Sequence, residues 1–112
     1  MNDLSQDEIT QALKDLPGWE LVVSDVAGKE PKQRTELKKT YEFASFEDAM
    51  DFMAGAAKHI SKVDHHPRWE NRWRTVTVWL CTWAIGHKPS RRDIELAKFM
   101  DGLYSGYTQG RR

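Results

Sequence analysis

Apolar residues along the chain recur every three to four positions in some stretches and every second position in others, the two periods of helix and strand. Ser5 followed by Glu8 is a capping box, with Leu4 and Ile9 placed as a hydrophobic staple, so a helix starts there. Its stripe is Ile9, Ala12, Leu13 and Leu16, and Pro17-Gly18 ends it. Trp19 to Val23 reads as a strand, and the polar stretch Ser24 to Gln33, with Gly28 and Pro31, as a mobile connecting turn. From Arg34 to Phe43 the chain is highly charged, yet Leu37, Lys39, Tyr41 and Phe43 share one face at period two, the pattern of a half-exposed strand.

Ser45 with Asp48 supplies the next cap, and Phe46, Ala49, Met50, Met53, Ala56, Ala57 and Ile60 trace a helical stripe rich in the small and pliable residues that suit packing onto a sheet. His59 falls near the last turn, where an imidazolium complements the helix dipole; a structural role is expected of it. Pro67 keeps His66 out of the helical region, so His65 and His66 lie on extended backbone entering a short strand, their side chains on opposite faces. Thr75 to Trp83 is a strand with Val76, Val78 and Leu80 on one face and Thr75, Thr77, Trp79, Cys81 and Trp83 on the other. A face bearing two tryptophans covers a ligand, underlies a helix or meets another subunit. Ala84 to Pro89 is a loop carrying His87, and Ser90 with Asp93 caps a last helix through Ile94, Leu96, Ala97, Phe99, Met100 and Leu103. Gly106 to Arg112 is polar and ends in two arginines, and residues 107–112 read as a frayed tail. The order helix, two strands, helix, two strands, helix predicts an α+β fold: two layers, a four-stranded antiparallel sheet with three helices on one face.

Composition narrows the function classes. At 112 residues the chain is a single domain, 1–112, with one core. Seventeen basic and seventeen acidic residues cancel, and their signs alternate along the chain, which gives no support to nucleic-acid or anionic-membrane binding. The longest uncharged run, Thr75 to His87, is shorter than the roughly 20 residues a bilayer requires. Met1-Asn2-Asp3 opens a polar start without a signal-peptide pattern, so a soluble cytoplasmic protein is expected. Cys81 is the only cysteine, which excludes an intramolecular disulfide and suggests a small core residue.

Chemistry concentrates between Asp64 and Trp83, where two of the four histidines and the only cysteine lie among tryptophans. Imidazole, with an unperturbed pKa of about 6.5, both gives and takes a proton near neutrality, so adjacent histidines beside aromatics point to proton transfer on a flat ring. Neighbours on opposite strand faces do not chelate one metal, and no Cys or His stands at a zinc spacing, so no metal is expected. Asp93 at the third position of a helix serves equally well as a cap or as a functional carboxylate.

The gapped pattern Asp64-His65-His66-Pro67, an aromatic at Trp73, then Trp83 and then Asp93 resembles the signature of the pterin-4a-carbinolamine dehydratases. The likeness extends to Trp69, Asn71, Thr82, Ser90 and Ile94-Glu95-Leu96-Ala97, and covers Trp19 to Leu103. It implies an enzyme that removes water from the 4a-hydroxytetrahydropterin left by aromatic amino acid hydroxylases, yielding a quinonoid dihydropterin in tetrahydrobiopterin recycling. The pterin is then the substrate, and neither cofactor nor metal is implied. By the same resemblance His65 is the proton-transfer group and His66 binds and orients the pterin, while Asp64, Pro67, Trp69, Trp83 and Asp93 belong to substrate binding. A homodimer or homotetramer is implied, and the alternative to catalysis is a non-catalytic protein-interaction role, since some members act as dimerisation cofactors of a transcription factor.

One position departs from many relatives. Trp83 stands where a third histidine is common; tryptophan is accommodated there by the family pattern, but its ring stacks and cannot exchange a proton as an acid or base. The loop that follows is one residue longer and contains His87, so either His87 substitutes for the missing imidazole or His65 carries both proton transfers.

Overall fold

Ser5 opens the first helix by accepting a hydrogen bond from the Glu8 N–H at 3.1 Å, while the Glu8 carboxylate takes the Ser5 N–H at 2.8 Å. Those bonds hold the Glu8 carboxyl below its usual range. The computed structural model describes residues 4–26 and 32–108. Its elements are α1 (Gln6–Leu13), β1 (Glu20–Val26), β2 (Lys32–Glu42), α2 (Phe46–Val63), β3 (Arg68–Arg72), β4 (Thr75–Leu80) and α3 (Arg91–Thr108), with a 3₁₀ turn at Trp83–Ile85. All strand pairs are antiparallel, in the order β1-β2-β4-β3, and the three helices cover one face, as the element order predicts. No helix among the described residues is long and apolar enough to cross a membrane.

The core lies between the sheet and the helices. β2 contributes Leu37 and Tyr41, with Phe43 just beyond its end, and β4 contributes Val76, Val78 and Leu80, all buried. Lys39 shares the inward face of β2 because its ammonium meets the Asp101 carboxylate at 2.9 Å. The same Asp101 oxygen accepts from the Tyr41 hydroxyl at 2.6 Å and the Trp19 indole at 3.0 Å, tying β1, β2 and α3 together. Burial and the Asp101 contact push the Tyr41 hydroxyl above its ordinary pKa.

Several local expectations are corrected. α1 stops at Leu13; a tighter turn of i→i−3 bonds carries the chain to a buried Leu16, and Gly18 then reverses it at φ +85°, where Lys39 passes close enough to crowd any side chain. Ser24 to Val26 and Lys32 to Gln33 belong to strands, not to the turn; the remainder of the expected turn lies outside the described residues. On α2 the buried line is Ala49, Phe52, Ala56 and Ile60, whereas Ala57 is exposed. Phe52 escaped the predicted stripe although its ring meets Tyr41 at 5.0 Å and Phe43 at 5.2 Å between centroids. β4 ends at Leu80, because Thr82 leaves the sheet to pair with Lys88. Trp79 and Trp83 therefore do not share a strand face. α3 continues through Gly106 and Tyr107 to Thr108, Tyr107 donating to Asp51 at 2.5 Å; only 109–112 of the expected tail lie outside the described residues.

Replacing Phe52 with alanine is expected to cost about 3–5 kcal/mol through lost burial and a cavity. Phe46→Ala, at a side chain 44% exposed, should cost far less. Urea unfolding of the two variants measures both.

Candidate active site

α2 ends where Asp64 adopts the left-handed conformation, φ 53°, while its N–H still bonds the Ile60 carbonyl at 2.8 Å. That reversal, followed by the extended backbone Pro67 demands, turns His65 inward and His66 outward. His65 is buried, whereas the His66 side chain is 64% exposed and stands 3.3 Å from the still more exposed Asp64 carboxylate.

His65 Nε2 meets Asp93 Oδ1 at 2.6 Å, and Asp93 is fully buried. Asp93 Oδ2 accepts from the Thr82 hydroxyl at 2.8 Å and from the Ser90 N–H at 2.8 Å. Thr82 has one proton and spends it on Asp93, so the 2.6 Å contact between the Thr82 and Ser90 hydroxyls is donated by Ser90. The Arg92 N–H in turn donates to Ser90 Oγ at 3.2 Å. Every bond to the carboxylate is one a charged carboxylate accepts, so the proton on the shared edge sits on His65 Nε2. Asp93 is thus helix cap and histidine partner at once.

A cleft of about 420 Å³ opens beside this pair, lined by Asp64, His65, His66, Pro67, Arg68 and Trp83, with Cys81, Thr82, Ala84 and Arg92. On the other side of His65 and Arg92 lies a second cavity of about 410 Å³. There the His59 ring is stacked on Phe99 at 3.8 Å between centroids, a packing contact that its place near the helix end did not indicate. Only the first cavity is walled by both adjacent histidines and Trp83, and we take it as the site. Arg92 closes its floor by donating to the Val63 and Asp64 carbonyls at 2.7 and 2.9 Å, satisfying the end of α2.

The expected site residues Asp64, His65, His66, Pro67 and Trp83 thus surround one cleft, with Asp93 supporting it from beneath. Trp69 stands apart: it faces Val78 across the β3–β4 pair and packs on the helix side of the sheet. Trp83 is 76% exposed, with the His87 ring 5.2 Å away at 55°. His87 lies at φ 60° beyond Gly86, its carbonyl held by the Thr35 N–H at 2.9 Å, and its ring is against Trp83 instead of on the cleft wall. The hydroxyls of Thr82 and Ser90 and the guanidiniums of Arg68 and Arg92 were not singled out as chemistry from the sequence. Thr82 and Ser90 entered only through the family likeness, and Ser90 also as a cap, while arginines among many arginines carry no local signal; their convergence on the site is what marks them. Among the described residues no three of His, Cys, Asp and Glu are grouped as a metal site.

A family model described as pterin 4 alpha carbinolamine dehydratase matches residues 2–103. The chain belongs to this family. Among similar proteins, one from Opitutus terrae is 40% identical over 85% of this chain and 87% of its own length. One from Nitrobacter winogradskyi is 42% identical over 82% of this chain and 81% of its own. Both are provisionally named pterin-4-alpha-carbinolamine dehydratases. A crystal structure of a transcriptional coactivator/pterin dehydratase from Brucella melitensis superposes with a TM-score of 0.76 at 33% identity, covering 92% of this chain and 99% of that one. In this dehydratase-family chain the signature residues Asp64 to Pro67 and Trp83 line one cleft and Asp93 holds His65 from behind it, with Trp69 and the turn residue Trp73 outside its lining.

Asp93→Asn is expected to lower stability by about 1–3 kcal/mol, because an amide repels at least one of the donors now facing the carboxylate; urea midpoints check this. Burial, with the Glu36 and Asp93 charges added, pushes the Cys81 thiol up to about 11, so it is uncharged at neutral pH. Iodoacetamide labelling of Cys81, followed by mass, should be slow at about pH 7 and rise about tenfold per pH unit through pH 9.

Proposed function

We propose that the cleft dehydrates a pterin-4a-carbinolamine, with His65 as the group that moves protons. The observation that carries this reading is the 2.6 Å bond from His65 Nε2 to a fully buried Asp93. Asp93 fixes the ring's tautomer and orientation, leaving Nδ1 as the nitrogen that exchanges protons with substrate. As imidazolium, His65 protonates the hydroxyl on C4a; the C–O bond breaks and water departs. Loss of the N5 proton then forms the N5=C4a double bond of the quinonoid dihydropterin, and the same Nδ1 takes that proton back, restoring the imidazolium. General acid–base catalysis of this kind supplies about 10²–10⁴-fold. His66, on the open wall, binds and orients the pterin, and Trp83 offers an indole face to its ring. Such a step serves tetrahydrobiopterin recycling behind an aromatic amino acid hydroxylase.

A second reading draws on Trp83 in place of a third histidine and on the coactivator named for the Brucella protein: a non-catalytic role as a dimerisation cofactor. One assay separates the two. In stopped flow with an aromatic amino acid hydroxylase generating the carbinolamine, the protein should accelerate its disappearance. His65→Ala should lower that rate about 10²-fold or more, and His87→Ala should leave it unchanged. No acceleration at saturating protein sinks the enzymatic reading, and loss of activity in His87→Ala sinks the assignment of both transfers to His65.

A further inference from the structure

The sheet face away from the helices carries a second buried carboxylate for which the proposed dehydration has no use. The Glu36 side chain is 2% exposed, and one of its oxygens meets Arg68 at 2.8 Å and Arg34 at 3.4 Å. A carboxylate is buried at such cost only when it is paired, so Glu36 serves to hold these guanidiniums in place. Arg68 is fixed from a second direction as well, its guanidinium lying 4.1 Å from the centre of the Trp79 ring. It is nonetheless half exposed, and the exposed part faces the site: Arg68 and His66 line both the 420 Å³ cleft and the small recess of about 40 Å³ that joins it to Glu36.

Glu36 lies between Arg68 and Arg34, and Lys38 stands 5.7 Å from the same Trp79 ring with Glu20 opposite it in register. Glu70 shares this face one pair further along β3, and Asp64, 89% exposed, stands beside His66. Arg92 on the floor is already engaged by the two α2 carbonyls. Arg68 is therefore the guanidinium held in place yet open to a ligand, and a guanidinium fork matches an oxyanion. A dehydration at C4a and N5 requires no anion receptor, so its use is recognition of a remote part of the substrate.

We infer that Arg68, positioned by Glu36 and Trp79, selects pterins whose 6-substituent is anionic, a carboxylate or a phosphate, over those with a neutral side chain. The inference rests on the pterin reading of the cleft and concerns specificity, not the proton transfers. Because the guanidinium is held before binding, little side-chain entropy is lost when the anion arrives.

Binding of four stable ligands, followed by calorimetry on the intact protein, tests it: pterin-6-carboxylate against 6-hydroxymethylpterin, and neopterin 3′-monophosphate against neopterin. At least one anionic member should bind about tenfold more tightly than its neutral partner in low salt. A preference for the carboxylate places the anion beside the ring, and one for the phosphate places it at the end of the chain. The preference should shrink at roughly 0.5 M salt, where screening is strong, and vanish in Arg68→Met, the ratio of affinities within each pair being the readout. Equal binding of each pair by the unaltered protein overturns the inference and leaves the pterin reading standing, as does a preference that survives in Arg68→Met. Failure of all four to bind overturns both.

Discussion

A carboxylate without solvent is the constraint on which the site depends. Asp93 is fully buried, and an ionised group in that position is tolerated only if its oxygens are filled with donors. Those donors come from three separate places: His65 after α2, Thr82 after β4 and Ser90 ahead of α3. The chain must bring these segments together at 2.6–2.8 Å or leave a charge unpaired in the interior. The demand that holds the fold closed at this point also fixes the imidazole, so stability and function share one set of bonds.

The rest of the site follows from how each segment leaves its element. The left-handed Asp64 and the extended Pro67 invert the chain between α2 and β3, which is why adjacent histidines end in opposite environments, one buried and one open. Arg92 spans back to the α2 carbonyls and forms a floor between two cavities. On the opposite wall Glu36, Arg68 and Trp79 belong to three neighbouring strands, β2, β3 and β4, and meet only because the sheet order places β4 between the other two. Charge buried at Asp93 orients a histidine; charge buried at Glu36 orients an arginine.

Much of the architecture was legible because the local signals are redundant. Ser5 with Glu8 and Ser45 with Asp48 cap helices as read, and the alternation at Leu37, Tyr41, Val76, Val78 and Leu80 marks the buried face of the sheet. Phe52 was missed because α2 presents a broad apolar surface, and periodicity alone does not say which line of a wide stripe faces the sheet. The end of β4 was missed because Cys81, Thr82 and Trp83 carry full strand propensity; the competing Thr82 pairing with Lys88 and its bond to Asp93 are tertiary.

By itself the sequence determined the α+β order, the amphipathic faces, the gapped histidine pattern and the family it indicates, since each depends on spacing within a segment or on residue identity. Tertiary structure alone decided which histidine is buried, that Asp93 is both cap and partner, that Trp69 lies on the core side of the sheet, and that Arg68 is held at the mouth of the cleft. The reason is common to all four. Each depends on contacts between residues about 10–40 positions apart, and no propensity of a short stretch encodes where a distant donor will arrive.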